Sequence, residues 1–97
     1  MRVEYHPHTA SDLNSAVDHY NGLQPGLGDA LRLEVYAAIR RICFNPQHYR
    51  EIEGGMRRCF VRRFPYSVLF RCRAPDIVRV LVIRHHRRHP NFGQSRR

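Results

Sequence analysis

The sequence predicts an α+β fold in which a helical hairpin packs on one face of a mainly antiparallel sheet of about four strands. Two observations predict it. Residues 56–90 carry arginines, several of them in pairs, with apolar residues between them. Two turn signals, at 64–66 and 74–76, divide this stretch into what is typical of three consecutive strands. Residues 27–43 instead carry apolar residues at helical spacing. With a strand and a further helix before them, the element order is β-α-α-β-β-β.

The N-terminal part predicts one short strand and one helix of about three turns. Residues 2–5 can form the strand. Thr9 precedes Asp12 by three residues, which resembles a capping box and indicates a helix start. Asn21 and Gly22 tolerate the left-handed conformation, so we expect them to end this helix.

The second helix has the clearest apolar period in the chain. Its stripe consists of Leu27, Leu31, Val35, Ala38, Ile39 and Ile42. Asn45-Pro46 is expected to end the helix, because a proline disfavours helical backbone in the residue before it. A short connection to the first helix makes the pair an antiparallel hairpin.

The three later strands are predicted at about Arg57–Phe64, Ser67–Arg73 and Ile77–His86. The last of them is apolar on both sides, so we expect it to be central rather than at an edge. Strict alternation places Val80 and Val82 on the same face of this strand.

Length and composition indicate one soluble domain over residues 1–97, with a polar tail at 91–97 that can be mobile. No apolar run is long enough to span a bilayer and residues 1–7 lack a signal-peptide core, so we expect a cytoplasmic protein without membrane contact. The odd set Cys43, Cys59 and Cys72 favours free thiols, although a hairpin could place Cys59 opposite Cys72.

The positive charge is concentrated in the strand half of the chain. The net charge is +9; residues 1–49 sum to −1 and residues 50–97 to +10. Every basic residue other than histidine is arginine, which suits bidentate contacts to carboxylates and phosphates. This asymmetry predicts an anionic partner, either nucleic acid or an acidic protein segment.

Six consecutive basic residues, 84–89, end the last strand. A bound anion would relieve their repulsion, whereas the simpler interpretation is a solvated strand end. His85 or His86 could act as a general acid or base, but adjacent strand residues point to opposite faces, so only one could face a given site. No Cys pair or HExxH spacing supports a metal ion, and we expect no cofactor.

Several motifs together resemble the RelE/ParE toxin superfamily of type II toxin–antitoxin modules, whose members are also called plasmid stabilisation proteins. They are Ala10-x-Asp12-Leu13, Ile42-x-x-Asn45-Pro46, Arg57-Arg58, Phe64-Pro65-Tyr66 and His85-x-Arg87-Arg88-x-Pro90. The resemblance spans nearly the whole chain and is closer to the ParE branch than to the RelE branch.

The resemblance implies a toxin that a cognate acidic antitoxin neutralises. ParE-like members block DNA gyrase, whereas RelE-like members cut mRNA in the ribosomal A site with basic residues and often a C-terminal tyrosine. This chain has no lysine, and Phe92 stands about where the tail tyrosine would be. We therefore favour gyrase inhibition. The alternatives are a ribosome-dependent mRNA endonuclease, which would make the chain an enzyme, and a small arginine-rich nucleic-acid-binding module without toxicity.

The expected site residues fall into three sets. The residues expected to bind the target or an anion are Arg57, Arg58, Arg62, Arg63, Arg84, Arg87, Arg88 and Phe92. If the chain is a nuclease, the catalytic candidates are His85, His86, Arg84 and Arg87. The expected antitoxin contacts are Leu33, Tyr36, Arg71 and Arg73.

Overall fold

The computed structural model describes residues 1–97, apart from the side chain of Glu53. The helices and strands are β1 (Arg2–Tyr5), α1 (Thr9–Leu23), α2 (Leu27–Phe44), β2 (Arg57–Phe60), β3 (Tyr66–Arg73) and β4 (Ile77–His85). Two short 3-10 turns, Pro46–His48 and Glu53–Gly55, connect α2 to β2. The predicted α+β class and element order are confirmed.

The strands form one mixed sheet in the order β1-β4-β3-β2. β1 runs parallel to β4, and the other two pairs are antiparallel. β4 is therefore internal, as its two apolar sides predict.

The main core lies between the helical hairpin and the sheet. α2 contributes its predicted stripe, of which Leu31, Val35, Ala38, Ile39 and Ile42 are buried. The sheet contributes Val68, Phe70, Val78, Val80 and Ile83. Burial of this apolar area is the main contribution to the stability of the domain.

A second, smaller apolar cluster lies on the face of the sheet opposite the helices. It consists of Met56, Leu69, Leu81 and Val82, with Ile52 and Phe92 packed against it. The strand register explains it: Leu69 pairs with Val82 but Phe70 pairs with Val80, so β4 carries an extra residue. This bulge reverses the alternation of β4. The prediction that Val80 and Val82 share a face was wrong.

β2 is shorter than predicted and ends at Phe60 rather than Phe64. Residues 61–65 form a turn in which Arg63 adopts a positive φ of 72°. The Val61 N–H donates to the Tyr66 carbonyl, and the Tyr66 N–H donates to the Phe64 carbonyl. The turn therefore begins at Val61, although the apolar pattern predicted that the strand continues to Phe64.

The side chain of Asn21 joins the two helices instead of ending the first. α1 continues to Leu23, so the predicted end at Asn21-Gly22 was wrong. The Gly28 N–H, in the first turn of α2, donates to Asn21 Oδ1 at 2.7 Å. Gly26 is the N-cap of α2 and has no side chain. Asn21, on α1, thus accepts a hydrogen bond from an N–H in the first turn of α2 that has no partner within its own helix.

The first turn of α1 supplies hydrogen-bond partners for the part of β4 that β1 does not reach. β1 pairs with β4 only as far as Val80. The Thr9 hydroxyl donates to the carbonyls of Val80 (3.2 Å) and Leu81 (2.9 Å), and the Ile83 N–H donates to Asp12 Oδ2 at 3.2 Å. The predicted capping box does not form, because both side chains bond to the sheet instead of to their own helix.

The three cysteines are free, and none is placed to pair with another. Cys59 lies opposite Val68 and is buried, while Cys72 lies opposite Val78 and is exposed. Across the described residues, no helix combines the length and the apolar character needed to cross a membrane.

Candidate functional site

The basic cluster at the end of β4 divides between the two faces of the sheet. The His85 ring packs edge-on against Tyr66 on the helix side, with centroids 5.0 Å apart, and its Nδ1 accepts the Arg87 N–H at 2.9 Å. His86 lies on the opposite side, where Nε2 is 3.1 Å from Ser67 Oγ and the ring contacts Phe60. The two imidazoles therefore face different surroundings.

The far-face cleft, on the side of the sheet opposite the helices, has a volume of about 350 Å³. Its walls include Arg58, Phe60, Arg84, His85, His86 and Arg88. The Arg58 guanidinium lies 4.7 Å from the centre of the exposed Phe60 ring. The cleft therefore combines an exposed phenyl ring with several basic side chains.

The Arg84 side chain is hydrogen-bonded to the C-terminal segment. Its Nη1 donates to the carbonyls of Pro90 at 2.8 Å and of Phe92 at 3.4 Å. Burial and the nearby Arg58 lower the pKa of the Arg84 guanidinium, which nevertheless stays charged at neutral pH. Arg84 therefore positions the tail more than it offers a free cation.

Phe92 is half-buried between two arginines. The guanidinium of Arg88 lies 4.1 Å from the ring centre and that of Arg96 lies 5.2 Å away. Phe92 also packs against the second apolar cluster. Its ring is thus part of the fold, and Phe60, at 56% exposure, is the more accessible aromatic residue of this surface.

The tail at 91–97 folds back across the molecule. Arg96 pairs with Asp12 and donates to the Leu81 carbonyl, and Arg79 Nε donates to the Arg97 carbonyl at 2.9 Å. A Cβ built on Gly93 would overlap the side chain of Val82, so the backbone of the tail lies directly on β4. The mobility of this tail stays a prediction, which amide hydrogen exchange would measure.

A second cleft of about 660 Å³, here called the α1 cleft, lies between α1 and the end of β4. One wall is formed by His8, Ser11, Ser15 and His19, and the other by His85, Arg87 and Arg88. The residues of the second wall stand out in the sequence as a basic cluster. Those of the first wall do not, because only the fold brings α1 to the end of β4.

The other arginines predicted to bind a target lie apart from the strand end. Arg57 donates to the Tyr49 carbonyl at 2.7 Å and to Gln47, so it fixes the loop before β2. Arg62 and Arg63 are exposed in the β2–β3 turn, where Arg63 lies 4.0 Å from Glu34. Of the arginines predicted to bind a target, Arg58, Arg84, Arg87 and Arg88 line the two clefts near the end of β4.

The four expected antitoxin contacts lie on two sides of the molecule. Leu33 and Tyr36 are exposed on α2. Arg71 and Arg73 project from β3 on the face opposite the helices, where Arg73 pairs with Glu4 at 3.3 Å. A partner that touches all four must pass around an edge of the sheet.

An apolar groove of about 630 Å³ between β1 and the two helices was not predicted. Leu13, Val35 and Ile39 line it together with Tyr5 and Tyr36. Tyr5 is 52% exposed, and partial burial raises the pKa of its hydroxyl, with smaller effects from Cys43 and Tyr36. The sequence singled out Tyr36 as a partner contact but not the other residues of this groove, because the groove forms where three elements meet.

The pH titration of His85 tests the geometry of the α1 cleft. Burial, then His86, Arg87 and His19, lower the pKa of His85 below its ordinary value of 6.5. The folded state then binds fewer protons than the unfolded state below pH 6.5, so His85 makes the fold lose stability as pH falls through that value. We expect an NMR titration midpoint below 6.5 that rises in Arg87→Ala. A wild-type midpoint above 6.5 would contradict this geometry.

Among the described residues, no group of three or more His, Cys, Asp or Glu side chains is placed to hold a metal ion. The chemistry available at the end of β4 is therefore that of arginine, imidazole and hydroxyl groups.

A helical hairpin on a four-stranded mixed sheet with this element order is the architecture of the RelE/ParE superfamily. The model of the ParE toxin of the type II toxin–antitoxin system parDE matches residues 3–90. The chain therefore belongs to the ParE toxin family, and it is a type II toxin by class.

A solved structure from the chromosomal ParDE toxin–antitoxin system of P. aeruginosa has the same fold, with a TM-score of 0.77. It is 21% identical in sequence, and the alignment covers 88% of this chain and 95% of that chain. A search of the curated proteins found no significant match.

Proposed function

We propose that this toxin inhibits DNA gyrase by protein–protein contact, without chemistry of its own, and that a cognate antitoxin neutralises it. Membership of the ParE family supports the toxin class. The observation that favours contact over mRNA cleavage is the packing of the nuclease candidates. Both His85 and His86 line the far-face cleft, but the His85 ring packs on Tyr66 and the His86 ring packs on Phe60.

RNA cleavage needs an acid and a base within hydrogen-bond reach of one substrate. His85 packs on Tyr66 on the helix side, and His86 packs on Phe60 on the far side. Arg84, which would stabilise the reacting phosphate, is held by two tail carbonyls. The different ring contacts of the two histidines and the tail contacts of Arg84 favour protein contact over RNA cleavage.

The far-face cleft carries the exposed aromatic and arginine side chains that are typical of protein interfaces. Phe60 is an exposed aromatic residue with Arg58 beside it, and Arg88 lies on the same rim. Aromatic and arginine residues carry much of the binding energy in protein interfaces. Arg58 and Arg88 form no ion pair with a described acidic residue, so their charges can pair with acidic groups of a partner.

A ribosome-dependent mRNA endonuclease is the second candidate, and one observation favours it. His86 lies 3.1 Å from Ser67 Oγ, beside Arg58 and Arg84 in the same cleft. A single imidazole with arginines around it can act on an RNA phosphate if the ribosome supplies the remaining group.

Parallel assays with purified components test the proposal. We expect the protein to inhibit supercoiling by gyrase and to leave mRNA on programmed ribosomes intact. Codon-specific cleavage with gyrase unaffected would overturn the proposal, and loss of that cleavage in His86→Ala would identify the catalytic residue. If neither assay responds and expression is harmless, the arginine-rich nucleic-acid-binding module becomes the better account.

The proposed antitoxin is a small acidic protein that inserts an apolar segment into the groove between β1 and the helices and places acidic residues on Arg71 and Arg73. Apolar contacts from Tyr5 and Tyr36 would supply affinity, and the arginines would supply complementary charge. Since both gyrase and the ribosome are cytoplasmic, we expect the complex to form in the cytoplasm.

Antitoxin affinity should fall by roughly tenfold between 0.1 M and 0.5 M salt, because exposed charge pairs are screened. Isothermal titration calorimetry at several salt concentrations measures this, and Arg73→Ala should flatten the dependence. An affinity that does not change with salt, or a cognate partner without acidic residues, would contradict the predicted contact.

A further inference from the structure

The α1 cleft gathers hydrogen-bond donors from three separate parts of the chain. His8, Ser11, Ser15 and His19 line it from the N-terminal side of the molecule. His85 lines it from β4, and the segment after β4 adds Arg87, Arg88 and Arg96. The cleft volume of about 660 Å³ lies within the range of small-molecule sites, which is roughly 300–1,000 Å³.

Most of the positive charge around this cleft is not neutralised. Asp12 is the acidic residue of its lining, and it is fully engaged by Arg96 and by the Ile83 N–H. Arg87 and Arg88 have no acidic partner among the described residues. Two guanidinium groups and three imidazoles therefore surround one concave volume, and a bound anion would lower their mutual repulsion.

The hydroxyls of the cleft are also available. Ser11 and Ser15 are exposed, one helical turn apart on α1, and neither hydroxyl forms a side-chain hydrogen bond within the described structure. Hydroxyl, imidazole and guanidinium donors together match an anion with several oxygens that accept hydrogen bonds from different directions.

We propose that the α1 cleft binds a phosphate group, carried by a nucleotide or by the end of a nucleic-acid strand. Arg87 and Arg88 contact its oxygens from the tail side, and Ser15, His19 and His85 contact them from the helix and sheet side. The α1 cleft adjoins the far-face cleft assigned to gyrase, and His85 and Arg88 line both. Phosphate binding does not depend on that assignment, because Arg87, Ser15 and His19 line the α1 cleft alone.

The shape and chemistry of the lining favour phosphate over an acidic peptide. A peptide needs an extended groove with an apolar floor, which this molecule offers on the other side of α1, along Leu13, Val35 and Ile39. The α1 cleft is lined mainly by charged and polar side chains, so a compact polyvalent anion fits it better.

Binding should strengthen as pH falls from 7.5 to 6.0, because His85 gains a proton. The other ionisable groups around His85 are His8, His19, His86, Arg87, Arg88, Arg96, Asp12 and Tyr66. Burial, and then repulsion from His86, Arg87 and His19, lower the pKa of His85 in the free protein. A bound phosphate offsets that repulsion, so phosphate should raise the titration midpoint of His85.

The test is an NMR titration of the full chain with labelled histidines. The probes are inorganic pyrophosphate, a nucleoside triphosphate, and a tetranucleotide with and without a 5′-phosphate. We expect pyrophosphate to shift the resonances of His19 and His85 and to raise the His85 midpoint. Arg87→Ala should weaken binding about tenfold, the loss expected for a charged hydrogen bond. Arg40→Ala removes the same charge from exposed α2 and should leave the affinity unchanged.

The probes also identify the source of the phosphate. Tight binding of the triphosphate alone assigns a nucleotide, and preference for the 5′-phosphorylated tetranucleotide assigns a nucleic-acid end. Hexaglutamate binding as tightly as pyrophosphate would overturn the proposal in favour of an acidic protein. Equal weakening by Arg40→Ala and Arg87→Ala, or an absence of shifts at His19 and His85, would also overturn it.

Discussion

Replacing Asp12 by Ala should lower the free energy of unfolding by about 2–4 kcal/mol, because it leaves a buried guanidinium without its partner. Asp12 Oδ2 lies 2.6 Å and Oδ1 3.2 Å from the two terminal nitrogens of Arg96. The side chains of Arg96 and Asp12 are only 12% and 7% exposed. The Ile83 N–H would also lose its acceptor, on the edge of β4 that β1 does not cover.

Urea denaturation monitored by circular dichroism measures this effect, and Asp18→Ala is the matched control. Asp18 lies on the same helix but is exposed, so its removal should change stability by less than about 0.5 kcal/mol. Equal unfolding midpoints for the Asp12 and Asp18 variants would show that the Arg96 contact does not hold the tail.

Replacing Gly28 by Ala should lower the free energy of unfolding by about 2–3 kcal/mol, because it forces the two helices apart. A Cβ at Gly28 would overlap the Val17 carbonyl oxygen and would come within 2.8 Å of the Asn21 side chain. The obstacle at Val17 is backbone, which cannot turn away as the end of a flexible side chain can. The hydrogen bond from the Gly28 N–H to Asn21 would lengthen as well.

Gly22→Ala is the matched control for Gly28→Ala. Gly22 lies in the last turn of α1, and a Cβ there would meet no atom within 4 Å. Alanine also has the higher helix propensity, so this variant should be stabilised by up to about 1 kcal/mol. Thermal denaturation of both variants compares them directly, and similar melting temperatures would mean that the helices do not meet at Gly28.

The sequence predicted the fold because its strongest local signals agree with the tertiary structure. The α2 stripe predicted the buried face of that helix, and the apolar residues on both sides of β4 predicted its central place. These signals report which faces are buried, and burial determines how the layers stack.

The local errors have a common physical cause, which is that side chains bond across elements instead of within them. Asn21 was expected to end α1 and instead bonds to α2. Thr9 and Asp12 were expected to cap their own helix and instead bond to β4. A bulge in β4 moved Val82 to the second cluster. Each event depends on which elements become neighbours, and residue spacing along the chain does not contain that information.

The sequence indicated some of the residues near the end of β4, but not the parts of the chain that surround them. The arginines and histidines at the end of β4 stood out in the sequence, and the alternation of strand residues already indicated opposite faces for His85 and His86. The sequence did not show that Arg84 and Phe92 hold the tail, or that α1 adds a second histidine wall. Those contacts arise only when the tail folds back over the sheet.

The measurement that tests the central claim most directly is the inhibition of gyrase supercoiling by the double variant Arg58→Ala/Phe60→Ala, because these two side chains line the far-face cleft and not the α1 cleft. If they contact gyrase, the concentration needed for half inhibition should rise at least about tenfold, since each lost contact costs on the order of 1 kcal/mol. Arg40→Ala is the charge control and should inhibit like the wild type. Half inhibition at the same concentration for the double variant and the wild type would contradict the claim that the far-face cleft is the target-binding surface.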